Sequence, residues 1–483
     1  MADRTASRRD FLKVSAAGSL ALGAVGLDAG RAAARVLPLR QSPPPQQSPN
    51  DKIQIALIGA GMQGQHDTSV ALEVPGVALV AACDCYDGRM TRCKEKWGDH
   101  LVTSRHHEEI LARPDVDAVI IATSDHWHQQ IALDAMNAGK DVYVEKPMIQ
   151  HADQGQALID AATKTGRILQ VGSQRVSSIV YTKARELIEG GAIGDLNLVD
   201  AYIDRNSALG AWQYSIPPDA SPQTIDWERY LGPAPKRSFE AQRVFRFRNY
   251  RDYGTGVAGD LFVHLFSGIH YILASNGPTR VLSTGGLRFW KDGRDVPDVM
   301  IAVCDYPAAA THPAFNLTLR VDFAAGGGGG SQFRFVGSEG MLTLEGDELR
   351  VTKSARPEAP GHTIDTFPEA VQKAFLEEYY EKYPKEEPSF SRSHPTMQQQ
   401  PEEVWAAPRG YDDSYDHFAN FFEAVRTRKP VVEDPTFGLR AAGPAVLSNV
   451  SYFEQRPVSW DPEKMVEVDE NKTARASARA AAR

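Results

Sequence analysis

The chain has 483 residues, 42% hydrophobic and 24% charged, which is too long for one ordinary core and reads as two domains with insertions. A formal net charge of −9 argues against a polyanion-binding surface, so nucleic acid is not an expected partner. The four cysteines, Cys83, Cys85, Cys93 and Cys304, lack CxxC spacing or neighbouring zinc ligands and read as mostly buried small side chains, with no metal expected.

Residues 1–34 combine the basic stretch SRRDFLK, a weakly apolar run from Val14 to Leu27 and the small residues Ala32, Ala33 and Ala34, which is the pattern of a cleaved export signal. The run is too short to span a bilayer and no later segment is apolar for long enough, so no membrane insertion is expected after signal removal. Arg8 and Arg9 resemble a twin-arginine leader, which implies a bacterial protein exported folded, around its cofactor, to the periplasm or beyond. Residues 1–34 hold five Lys/Arg and three Asp/Glu, so their loss leaves −11. Residues 35–50, rich in Pro, Gln and Ser, read as a flexible linker.

Residues 51–175 read as a dinucleotide-binding domain. The apolar run Ile53 to Ile58 enters Gly59-Ala60-Gly61-Met62-Gln63-Gly64 and then a helical stretch, giving a strand, a tight turn and a helix N-terminus. Gly59 permits the turn, Gly61 lets the backbone approach a pyrophosphate and Gly64 lets the helix pack on the strand, with Met62 and Gln63 in the same cofactor-binding turn. The second strand, GVALVAACD, ends in Asp84, where a carboxylate would bind the adenosine ribose hydroxyls and favour NAD over NADP. Tyr86 or Arg89 could still admit a 2′-phosphate. A buried strand from Ala118 to Ala122, a polar turn, an amphipathic helix and a strand ending at Glu145-Lys146-Pro147 continue the alternation of a doubly wound parallel sheet. Thr123, His128, Glu145 and Lys146 fall near the carboxyl ends of those strands, where ligands sit.

Four segments, GAGMQG, ATSDHWHQQIALDAMNAGK, VEKPM and the later GGAIGDL, together resemble the Gfo/Idh/MocA family, the glucose-fructose oxidoreductase and inositol dehydrogenase group. Ser124 departs from the pattern, standing where the family often has proline. The resemblance spans roughly residues 52–350 and 411–462. It implies that Lys146 is the active-site lysine, whose ammonium would hydrogen-bond the reacting oxygen, and that Glu145 and Pro147 shape the turn around it.

Residues 176–462 read as a second, substrate-binding α/β domain. DLNLVDAYIDR, TRVLSTGGLRFW, PDVMIAVCDYP, FNLTLRVDFAA, SQFRFVGSEG and GMLTLEGDELRVTK alternate apolar with polar residues, which predicts a large, mostly antiparallel open sheet. The run Gly326 to Gly330 is expected at a hairpin end. In GDLFVH, Asp260 and His264 stand four apart, on one face of an apolar helix. Either they are functional, or they are a helix cap and a satisfied core histidine. The resemblance favours function: it matches the pair to the D-x-x-x-H segment that completes a Lys-Asp-His site, with His264 as general acid/base and Asp260 as its orienter.

Arg246, Tyr250 and Tyr253, with Gln174 and Arg175, are candidate substrate contacts, since aromatic faces suit sugar C–H surfaces and Arg and Gln bind hydroxyls. Residues 354–410 read as an extended or partner-contacting insertion, residues 411–462 as C-terminal helices returning to the first domain, and residues 463–483 as a disordered tail. The expected function is an exported NAD(P)-dependent oxidoreductase with tightly held cofactor, moving a hydride between nicotinamide and a secondary hydroxyl carbon of a sugar, glycoside or cyclitol. Two alternatives stand beside it: glycoside cleavage through a transient ketone and elimination, and an exported non-catalytic sugar-binding protein with a structural cofactor. The wide sheet predicts a homo-oligomer.

Overall fold

A computed structural model of the chain describes residues 34–39, 52–354, 360–384 and 402–468. The twin arginine, most of the expected linker and the end of the expected tail lie outside the described residues.

After the short strand β1 (Arg35–Val36), the first domain runs β2 (Ile53–Ile58), α1 (Met62–Ala71), β3 (Val77–Cys83), β4 (Val102–Ser104), β5 (Ala118–Ile121), α2 (His128–Asn137), β6 (Asp141–Glu145), α3 (Gly155–Thr165) and β7 (Leu169–Gly172). Six parallel strands form a sheet in the order β4-β3-β2-β5-β6-β7. Its central strands are nearly continuous apolar runs because both faces are covered, and Ile55, Leu57, Val119, Ile120 and Val142 have no exposed surface. Strand order reverses at β2, so the loops after β2 and β5 diverge and open a crevice at the carboxyl edge.

The second domain contains α4 (Ile179–Glu189), β8 (Leu196–Asp204), α5 (Val263–Leu273), β9 (Arg280–Gly286), β10 (Val299–Tyr306), β11 (Phe315–Asp322), β12 (Gly330–Gly337), β13 (Gly340–Glu345), β14 (Glu348–Lys353), α6 (Glu369–Lys382), β15 (Glu402–Ala406), α7 (Asp413–Thr427), α8 (Pro435–Glu454), β16 (Val458–Asp461) and β17 (Val466–Val468). Eleven strands, with β1 at one edge, make a second sheet in the order β1-β15-β14-β13-β12-β8-β11-β10-β9-β16-β17. It is antiparallel except at β8/β11 and β1/β15. Inward residues such as Val281, Met300, Ala302, Leu317 and Val321 are fully buried, as the alternating pattern requires.

Four local expectations are corrected. β8 lies between β11 and β12, so Gly326 to Gly330 belong to a connection across the end of β8 and not to a hairpin; alternation marks strands but not their order. Residues 35–36 of the expected linker pair with β15, and Leu37 is buried behind them. Residues 402–406 of the expected insertion are a sheet strand with Trp405 buried, whereas α6 in the same insertion buries none of its residues. Residues 466–468 of the expected tail pair with β16.

The C-terminal helices return to the first domain. Asp412 caps α7 by accepting from the Ser414 N–H. From that helix Phe418 stacks on Tyr143 of β6 at 4.3 Å, and Phe421, Phe422 and Val425 join the first domain's core beside Ile55 and Leu57.

Candidate active site

The turn after β2 is built for a backbone-bound anion. Gly59 has φ +93°, and a Cβ there would meet the Ala122 backbone at 2.5 Å. At Gly64 a Cβ would lie 2.1 Å from the Gly59 carbonyl oxygen, so this glycine serves packing between α1 and the strand. Gly61 faces space, with the Arg89 guanidinium the nearest group at 3.6 Å. The N-terminus of α1 has no side-chain cap and no acidic residue in its first turn, which leaves its leading amides and the positive dipole end for a ligand. Met62 and Gln63 line the same space.

Asp84, just beyond β3, is buried and fixed: one oxygen accepts from the Ala60 N–H at 2.8 Å and the other from the Tyr86 N–H at 2.9 Å. Arg89 stands 3.4 Å from it and lies over the Phe245 ring. From Asp84 a groove of about 410 Å³ runs along the carboxyl edge, past Thr123 and His128, to Glu145, Lys146 and Arg248. Its two ends are the carboxyl ends of β3 and β6, three strand spacings or about 14 Å apart. Glycine turn, free helix N-terminus and distal carboxylate together fit a dinucleotide.

At the far end, Lys146 Nζ donates to Asp260 Oδ1 at 2.7 Å and to the Asp260 carbonyl at 3.1 Å. Arg248 Nε donates to the same carboxylate oxygen at 3.0 Å. Burial alone would raise the Asp260 pKa, but the Lys146 and Arg248 charges outweigh it and hold the carboxyl far below the usual range. From the sequence Arg248 is one of several arginines in FRFRNYRDY suited to a sugar ring, and nothing there marks it out from Arg246 as the partner of Asp260.

The predicted Asp260–His264 contact is not made. Asp260 lies in a π-helical turn, Ala258–Phe262, that interrupts the i,i+4 register, and its Oδ1 engages two cations. The half-buried His264 ring has no hydrogen bond to any described residue and stands outside the groove's immediate lining. Burial first, and the nearby Lys146 ammonium second, push its pKa down to about 3, so the imidazole is neutral.

Behind Lys146, Glu145 is buried against Asp67 of α1, a residue not predicted from sequence. Burial raises both carboxyls, and the Glu145 charge raises that of Asp67 further. Gln63 donates to Asp67 at 2.8 Å, and Gln174 donates to Glu145 at 2.7 Å and to the Tyr143 hydroxyl at 2.9 Å. Gln174 therefore braces the lysine turn from below. His128 does so from the side, with Nδ1 2.8 Å from the Pro147 carbonyl and Nε2 3.2 Å from that of Thr123.

Four other predicted substrate contacts lie elsewhere. Arg175 pairs with Asp347 and Asp413, partners too distant in sequence to foresee. Arg246 sits one layer behind the groove, donating to Gln213 at 2.7 Å and to the Tyr214 carbonyl at 2.8 Å; these two residues face the cavity in its place. Tyr250 and Tyr253 are buried in an aromatic cluster with Trp227, Tyr230 and Phe245, because rings with this much apolar area are drawn into a core.

Residues 53–173 match the oxidoreductase family with an NAD-binding Rossmann fold, Gfo/Idh/MocA, and residues 208–283 match that family's C-terminal alpha/beta domain. An inositol 2-dehydrogenase of Gluconacetobacter diazotrophicus is 32% identical over 158 residues, 32% of this chain and 47% of that protein. A glycosyl hydrolase family 109 protein of Saccharopolyspora erythraea is 33% identical over 174 residues, 33% of this chain and 38% of that protein. The chain thus spans less than half the length of these relatives. Levoglucosan dehydrogenase, solved in complex with NADH, shares the fold with a TM-score of 0.58 at 18% identity, covering 84% of this chain and 99% of that one. The likeness to the Gfo/Idh/MocA oxidoreductase family thus lies in the dinucleotide-binding domain and the first part of the second domain.

Proposed function

We propose that the protein is an NAD-dependent oxidoreductase acting on a secondary hydroxyl of a sugar, glycoside or cyclitol. The observation that carries this reading is the Lys146–Asp260 pair, 2.7 Å apart, at the opposite end of the groove from Asp84. When bound, the cofactor supplies the hydride acceptor. Two of the three Lys146 donors are held by Asp260, which leaves one N–H for the substrate oxygen, where it stabilises developing negative charge. His264, neutral and hydrogen-bonded to no described residue, takes the hydroxyl proton. Asp260 positions Lys146, not His264. The names of the inositol and levoglucosan dehydrogenases support the substrate class.

A depressed histidine pKa has a definite sign. Below its pKa the ring is charged and cannot accept a proton, so a base near 3 stays competent from about pH 5 upward, where an ordinary histidine near 6.5 would lose activity. The kcat/KM profile for substrate oxidation should therefore show no limb near pH 6.5. A limb there would remove His264 from this role or show that the substrate restores its usual pKa.

The SRRDFLK stretch supports export after folding, and a cofactor carried out that way has to be retained through turnover. Protein recovered from the exported fraction should release about one equivalent of NAD(H) on denaturation, read by mass spectrometry. Empty protein that is nevertheless active with added NAD would refute retention. The likeness to the glycosyl hydrolase family 109 protein supports a second reading, in which oxidation assists glycoside cleavage. Release of nitrophenol from a nitrophenyl glycoside without net cofactor reduction distinguishes it.

A further inference from the structure

A second cavity of about 690 Å³ opens behind the turn at 124–127, on the side away from the groove. Gln150, Arg251, Asp295, Asn449 and Phe453 contribute to its wall. The Arg251 guanidinium lies over the Phe453 ring, 3.6 Å from its centre, as a flat platform that donates no hydrogen bond to any described residue. Asp295 uses one oxygen to accept the Arg251 N–H at 2.8 Å. Asn449 donates from Nδ2 to the Thr255 carbonyl at 2.6 Å, and its Oδ1 has no partner. Gln150 Nε2 is already committed to the Arg251 carbonyl, so its amide oxygen is the group left over.

Free guanidinium donors and the remaining Asp295 and Gln150 oxygens thus border apolar surface from Val446, Val450 and Phe453. That mixture suits a ring whose hydroxyls both give and accept hydrogen bonds. The Asp295 carboxyl beside Arg251 weakens the attraction of its guanidinium for an anion, while Asp252 and Glu454 are held by Arg237 at 2.7 Å and Arg456 at 2.6 Å. We propose that this cavity is a second saccharide site, for a neutral pyranose or its glycoside, separate from the site at Lys146. It abuts the first site through a short relay: Asn449 holds Thr255, and Thr255 donates N–H and Oγ1–H to Asp125 at 2.9 and 2.7 Å, with Asp125 lining the groove.

The test is saturation-transfer NMR with methyl β-D-glucopyranoside on the full chain carrying Lys146→Ala, in which the first site has lost its oxygen donor. Transfer should persist there and fall at least threefold when Arg251→Ala is added. Arg251 is exposed, so the added change should leave the melting temperature unaltered. Gln150→Leu, tested separately, should lower transfer in the same way. No transfer in the Lys146→Ala protein, or transfer indifferent to both added changes, overturns the site. Stronger transfer to methyl β-D-glucuronide overturns the neutral class. The readout is binding without turnover, so failure of the hydride-transfer reading would leave this result unaffected.

Discussion

Replacing Lys146 with alanine should lower kcat by about a thousandfold and leave dinucleotide affinity nearly unchanged. The ammonium keeps one donor for the substrate oxygen, whereas the anion site at Gly61 and the carboxylate of Asp84 lie across the sheet. Losing one partner of a buried ion pair costs about 3–5 kcal/mol when the other is stranded. Here Asp260 keeps Arg248 at 3.0 Å, so the loss of stability should be smaller. The variant should also reveal its electrostatics. Without the ammonium that depresses it, the His264 pKa rises from about 3, and the residual activity should gain an acid limb at higher pH than the native enzyme. Steady-state kinetics across pH, with a parallel NADH titration, check both points; undiminished kcat would refute the assigned role.

The second large effect separates two glycines that look alike in the motif. Gly64→Ala should destabilise the protein by about 3 kcal/mol and abolish dinucleotide binding, because its Cβ would sit 2.1 Å from a backbone oxygen that cannot move without parting helix and strand. Gly61→Ala should leave stability nearly intact, since the nearest atoms, those of the Arg89 guanidinium, lie at 3.6 Å or more, yet weaken NADH binding by obstructing the anion's approach. Urea denaturation with an NADH titration gives the two numbers for each variant. Equal stability losses would mean that the glycines do not divide the work in this way.

Some of this was legible in the sequence because local chemistry decides it. A β run, three spaced glycines and an acid at the next strand's end specify the dinucleotide crevice almost without reference to the rest of the chain. The strand end at Glu145-Lys146-Pro147 was legible for the same reason, while the role of its lysine came from the family resemblance. What escaped depends on contacts between distant residues. Asp67 meets Glu145 only once α1 lies on the sheet, and Arg248 meets an Asp260 that sits in a π turn, which the i,i+4 reading of a regular helix does not foresee. Helical spacing placed Asp260 and His264 on one face, but two competing cations determine which neighbour the carboxylate takes. Tyr250 and Tyr253 show the converse error: a composition suited to sugar binding is equally suited to a core, and burial is not written in a single residue.

The stack of Phe418 on Tyr143 has a consequence for biosynthesis. When a ribosome has completed residue 175, all six strands of the parallel sheet exist, yet Phe418, Phe421, Phe422 and Val425, which cover one face of it, have not been made. At ordinary elongation rates they follow about 10–50 s later. During that interval an apolar face of the nascent sheet waits uncovered and open to chaperones. The nucleotide-binding half is therefore not closed by its own residues: its last layer comes from a helix made long after its last strand.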